Sequence, residues 1–276
     1  MKLLSAPGSA TPSSLMLRLS LLVLGLALAA PIGILAAPGS AATAPPTSRD
    51  TAPAGGFSTN LYQKGDFVSQ YTRYWCIGAS MQMMLNISGA TDDETRAAQE
   101  SYMRVARSLG PSLRRVDHGQ DTDAAGGALR GAGSGGWARG LVTLGGRYYA
   151  ERAVDGYGSA VRAAAYALRK TGRPVGLIVW RGAHAWVMSG FTATTDPLTD
   201  PDFRVTGVYI QDPWYPRISS IWGPGQKPNS WISVNALKAD FLPRRGGKWH
   251  AELAGKYVLV LPFDLPRPSG HDMRML

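Results

Sequence analysis

The chain of 276 residues contains one cysteine, Cys76. An internal disulfide is therefore impossible, and any fold must be held by its apolar core alone. The N-terminus sharpens this constraint. Lys2 and Arg18 precede an uncharged run, LSLLVLGLALAAPIGILAAPGSAA, at residues 19–42. A basic start, an apolar run and small residues are the pattern of a secretory signal, with Ala-rich cleavage sites around Ala29, Ala36 and Ala41. The run is also nearly long enough to span a bilayer as an uncleaved anchor, although Pro31 interrupts it. Residues 1–42 are thus expected to be a signal peptide or N-terminal membrane anchor, and the chain to be secreted or held at the cell surface. A lone thiol retained by an exported chain is either a small buried hydrophobe or a reactive group.

TAPPTSRDTAPAGG (residues 43–56) is too rich in Pro, Ala and Thr to build a core and reads as a tether. The folded part is expected at residues 57–264, with a loose tail at 265–276. About 200 residues suffice for one domain with a real core. The net charge is +10 and the isoelectric point about 9.9. Lys and Arg are scattered rather than clustered, which argues against nucleic acid. An anionic cell-wall polymer or membrane surface is the more natural basic-protein partner outside the cell.

Periodicity divides the folded part. Cys76, Ser80, Met83, Met84 and Ile87 fall at helical spacing, and Ser88-Gly89 stops that helix. A second helix is predicted from an N-cap at Thr91, with acids in its first turn and Arg in its last. DHGQDTDAAGGALRGAGSGG (residues 117–136) reads as a Gly-rich surface loop; it carries neither a phosphate-loop pattern nor a complete calcium loop. Residues 137–149 are expected to hold a short helix and then a strand, and residues 159–171 an Ala-rich helix closed by Gly172. PVGLIVW (174–180) and HAWVMSGF (184–191) form a predicted hairpin. Strands follow at 204–214 and 256–262, with a short helix between them in WISVNALKADF. Helices first and antiparallel strands second indicate an α+β fold.

Four residues stand in a chemically meaningful order. Gln70 precedes Cys76 by six positions. Cys76 opens a helix, His184 opens a strand and Asp212 closes the next one. Thiol-based acyl transfer uses this set. A helix N-terminus and a nearby imidazolium favour the thiolate. The imidazole returns its proton to the leaving amine. A carboxylate on the far ring nitrogen fixes the tautomer. A side-chain amide and a backbone N–H cradle the oxyanion.

Three blocks, QYTRYWCIGASMQMML, GRPVGLIVWRGAHAWVMSGF and VYIQDPW, resemble the papain-like cysteine peptidases, most closely the C39-like branch of bacterial exported and transporter-linked proteins. The resemblance implies a helical lobe carrying the cysteine against a sheet lobe carrying the histidine and aspartate. It implies a cysteine-type peptidase acting on peptide or protein substrates through a thioester. Cys76 would be the nucleophile, His184 the general base and acid, Asp212 the orienter and Gln70 the oxyanion donor. Trp75 and Trp186 are expected as walls of the substrate pocket, since Trp186 shares a strand face with His184. Two departures stand out. Ile77 occupies a position where the family usually has Gly, and the loop at residues 192–201 is longer than usual. No cofactor is called for. His118, His250 and His271 have no second ligand at a metal-binding spacing, so no metal is expected. The same chemistry fits a transglutaminase or amidase acting on wall peptides, and the same fold fits an inactive peptide- or wall-binding domain.

Overall fold

The computed structural model describes residues 56–110, 131–145, 147–246 and 251–264. The chain divides into two units, Met1–Thr47 and Ser48–Leu276, and every described residue lies in the second. The sequence expectations for residues 1–55 and 265–276, and for His118, His250 and His271, fall outside the described residues.

Seven strands form one antiparallel sheet in the order β2 (Tyr148–Val154), β9 (Tyr257–Phe263), β3 (Val175–Val179), β4 (His184–Ala193), β5 (Val205–Gln211) and β8 (Ser230–Ser233). The seventh, β1 (Phe57–Asn60), pairs with β4 from Gly190 to Ala193, where β3 has ended. All ten residues of β4 are buried, so both of its faces are covered. Alternate side chains serve two cores, as the pleat requires. Ile178, Ala185, Val187, Val258 and Val260 face one. Leu177, Val179, Trp186, Met188, Leu259 and Leu261 face the other.

Helices α1 (Cys76–Ile87), α2 (Arg96–Leu109) and α3 (Ser134–Gly145) contribute to the first core. Helix α4 (Tyr157–Thr171) lays Ala160, Val161, Ala164 and Leu168 on the second, and the short helix α5 (Val234–Leu237) adds Leu237. A two-stranded hairpin, β6 (Ile218–Ser219) with β7 (Gly223–Pro224), stands apart from the sheet. This mixture of helices and antiparallel sheet is the expected α+β class.

The expected hairpin is present as β3 and β4, with Val179 opposite His184. The helix at Cys76 ends at Ser88, and α4 ends at Gly172, as read from sequence. Two expectations need correction. Helix α2 is capped by Thr95, whose side chain accepts from the Ala98 N–H, and not by Thr91. The Thr91 hydroxyl instead donates to Asn86. The Gly-rich segment does not run on as a loop to Gly136, because Ser134, Gly135 and Gly136 form the first turn of α3. The glycines serve close packing: a Cβ on Gly136 would overlap the carbonyl oxygen of Ala106 in α2. Asp196 stands in the long loop at residues 192–201. It pairs with Arg169 at 2.7 Å and anchors the long loop to α4.

Candidate active site

Cys76 is the first residue of α1 and is partly exposed. A helix N-terminus leaves backbone N–H groups without intrahelical partners and carries partial positive charge. Trp75, the N-cap, makes no side-chain capping bond, so that end is not closed by its own side chain. Across from it, the turn that reverses β3 into β4 runs through Trp180, Arg181 and Gly182, with φ values of 54°, 57° and 100°. Three consecutive left-handed residues are costly for the two that carry side chains. The turn is held by the Trp180 N–H, which donates to the Asp240 carbonyl at 2.8 Å, and by the Trp180 indole, which donates to the Asp240 carboxylate at 2.8 Å. His184 begins β4 immediately after it.

Asp212 follows β5 and is fully buried. Its Oδ1 lies 2.7 Å from His184 Nε2 and accepts from the Trp214 N–H at 2.8 Å. Its Oδ2 accepts from the Gln226 N–H at 2.9 Å. Held by these donors, the carboxylate fixes the orientation of the ring it touches. With Nε2 engaged by Asp212, the other ring nitrogen is left for the Cys76 thiol, which also hydrogen-bonds to the ring. Burial works against charge on His184, but the bonds to Asp212 and Cys76 outweigh it and push the imidazole up to about 9. Cys76, His184 and Asp212, far apart in sequence, thus form one connected line.

An aromatic housing surrounds this line. Trp180 stacks on the His184 ring at 4.2 Å, and Trp222 stacks on Trp180 at 5.8 Å. Trp214 presents an edge to His184 at 6.1 Å. These rings exclude water from the His184–Asp212 bond, which strengthens it. Trp180 looked like the last residue of a strand. Its role depends on the left-handed turn, which only the Gly182 beside it hinted at.

Gln70 is 2 % exposed, and its backbone N–H donates to the Pro213 carbonyl at 2.8 Å, tying its segment to the residue after Asp212. One hydrogen of its Nε2 goes to the Thr72 carbonyl at 2.8 Å, and a carboxamide has a second. Two buried amides hold this segment. Gln99 donates to the Ser69 carbonyl and accepts from the Tyr71 N–H, and it also donates to Gln82.

Trp75 and Trp186 have a different setting from the expected one. They are 2 % and 1 % exposed and belong to the two cores. Neither lines the cavity of about 140 Å³ at the thiol. Trp186 reaches His184 only through Trp180, whose ring it meets edge-on at 6.4 Å. The cavity is lined instead by Arg73, Tyr74, Cys76 and Ile77 on the α1 side, and by Ile178, His184 and Arg244 among others on the sheet side. Ile77, the departure from the family pattern, is buried and forms part of that wall. Among the described residues no group of His, Cys, Asp and Glu is placed to hold a metal ion.

The sequence model of the Peptidase C39-like family matches residues 62–233, more than half of the chain, a span that includes Gln70, Cys76, His184 and Asp212. The chain belongs to this family, a class of cysteine-type peptidases with a papain-like fold. No curated protein matches it. Among solved structures it is similar to UfSP from C. elegans, at 15% identity and a TM-score of 0.41. The similarity covers 78% of this chain and 35% of that one, so this chain spans about a third of its structural neighbour.

Proposed function

We propose that the protein is an exported cysteine peptidase that hydrolyses peptide bonds through Cys76, His184 and Asp212. The observation that carries this reading is the His184 ring, held between the Asp212 carboxylate and the Cys76 thiol and shifted up to about 9. At neutral pH such a ring is an imidazolium, and the nucleophile it serves in the reaction is the Cys76 thiolate. The thiolate attacks the scissile carbonyl carbon. The oxyanion that forms is met by the Cys76 N–H at the start of α1 and by the second Nε2 hydrogen of Gln70. His184 gives its proton to the leaving amine, the C–N bond breaks, and a thioester remains on Cys76. Neutral His184 then takes a proton from water. The hydroxide attacks the thioester, and the acid product leaves as the thiol is re-formed.

Export rests on the basic start and apolar run of residues 1–42. Among the described residues no helix is long and apolar enough to cross a membrane.

The test is the rate of Cys76 alkylation by iodoacetamide across about pH 4 to 9, in the native domain and in His184→Ala. Fast reaction well below an ordinary thiol pKa of about 8.5 is expected, with the acidic limb lost in the variant. A native profile with an ordinary or raised midpoint, unchanged by the substitution, would overturn the reading. Release of new N-termini from a peptide library, abolished by Cys76→Ser, then separates hydrolysis from amine transfer.

A further inference from the structure

The cavity at the thiol carries a charge pattern that the hydrolysis of a peptide bond does not require. Two of its lining residues are arginines, Arg73 from the segment entering α1 and Arg244 from the segment after α5. Among the described residues no carboxylate lines it, and neither guanidinium has a hydrogen-bond or ion-pair partner. Unpaired guanidinium groups beside a catalytic line are poised for a partner that arrives with the substrate. Arg244 is also held in place. Its backbone N–H donates to the Lys256 carbonyl at 2.8 Å, its own carbonyl accepts from the Gly255 N–H at 2.9 Å, and the next residue, Arg245, donates to the Arg181 carbonyl at 3.0 Å. Its side chain packs over Gly182, in the turn that delivers His184; a Cβ there would come within 3.0 Å of it. Arg73 lies three residues before Cys76, on the other wall. A chain lying across the Cys76–His184 pair in this cavity therefore lies between two cations. The unscreened start of α1 and the His184 imidazolium add to the same sign.

We propose that this cleft selects acidic substrates: peptides bearing a carboxylate, on a side chain or a terminus, within a residue or two of the scissile bond, with Arg73 and Arg244 as the residues that read it. The substrate class rests on the peptidase reading given above. The experiment is therefore one that needs no turnover. Cys76 is alkylated in parallel by iodoacetate, which is anionic, and by iodoacetamide, which is neutral and nearly the same shape. The ratio of the two rates cancels any general change in thiol reactivity and reports the local potential.

In Arg73→Gln and Arg244→Gln the iodoacetate-to-iodoacetamide ratio is expected to fall about threefold each, the effect of one unit charge about 7 Å away across water. In the double variant it falls about tenfold. Arg73→Lys and Arg244→Lys, which keep the charge, retain most of the native ratio. A ratio unchanged in the double Gln variant would overturn the proposal. Loss of the acid-shifted iodoacetamide profile would instead overturn the peptidase reading and leave the ratio to be judged by itself. As a second measurement on the native protein, paired peptides differing only in Asp against Asn beside the cleaved bond should differ about tenfold in kcat/KM, in favour of Asp. Equal cleavage of the pair would count against the proposal.

Discussion

His184 concentrates the energetics of the site in one ring. It is 4 % exposed, yet its pKa is raised to about 9, because Asp212 and Cys76 more than offset burial. A histidine whose folded pKa lies above its unfolded value near 6.5 stabilises the fold most where both states are protonated. That contribution is fully present below about pH 6.5 and is lost as pH rises through about 9. The midpoint of urea unfolding should therefore fall between pH 7 and pH 10 in the native domain. Asp212→Asn should flatten that decline and lower stability throughout, since the Trp214 and Gln226 N–H groups would lose a charged acceptor. Activity in the same variant should drop by a factor on the order of 10³ or more, the scale seen when the orienting carboxylate of an acyl-transfer triad is neutralised. A native midpoint that stays level or rises from pH 7 to pH 10 would show that His184 is not held as an imidazolium.

The elements show where local pattern suffices and where it fails. The β3–β4 hairpin was legible because continuous apolar runs flank a Gly-containing turn, and α4 because Val161, Ala164 and Leu168 share one face with Gly172 at its end. Strand β1 was not legible. FSTN has no strong alternation, and its partner β4 lies about 130 residues away in sequence. The start of α2 was misplaced for a similar reason. Thr91 satisfies the local rule for an N-cap, but the buried amides of Gln82 and Asn86 draw the Asp93 carbonyl toward α1, and the helix begins only after Thr95. The three reacting residues could be proposed from their order, whereas Trp180, Gln99 and the two arginines act through tertiary contacts that no local pattern records. Helix α3 is the sharpest case, since glycine disfavours a helix by about 1 kcal/mol per residue and Gly135-Gly136 sit in its first turn. Packing overrides propensity there. Gly136→Ala should raise intrinsic helix propensity and still destabilise the domain, by about 2 kcal/mol or more, because its methyl would overlap the Ala106 carbonyl. Gly158→Ala, in α4 with open space around the position, serves as the control and should be neutral or stabilising. Equal effects of the two substitutions would mean that α2 and α3 do not meet as closely as described.

At the scale of the whole molecule, stability and reactivity draw on separate resources. The described fold is held by two apolar cores on the two faces of one sheet, with Trp137 and Val187 deep in one and Trp186 and Phe191 deep in the other. No disulfide contributes, because Cys76 is the sole cysteine and is free. That same thiol is partly exposed and shares a cavity with His184, and accessible cysteines are the ones most open to oxidation. Oxidising and reducing conditions should therefore act on function and leave the fold alone. Brief treatment with dilute hydrogen peroxide is expected to remove most of the iodoacetamide-reactive thiol, and a thiol reductant to restore it, as for a sulfenic acid. Across the same treatments the thermal midpoint, followed by circular dichroism, should move by no more than about 2 °C, since no cross-link is made or broken within the chain. A midpoint that rises on oxidation, together with a species of doubled mass on a non-reducing gel, would instead show Cys76 joining two copies. The thiol would then be a structural link rather than the reactive centre of the cleft.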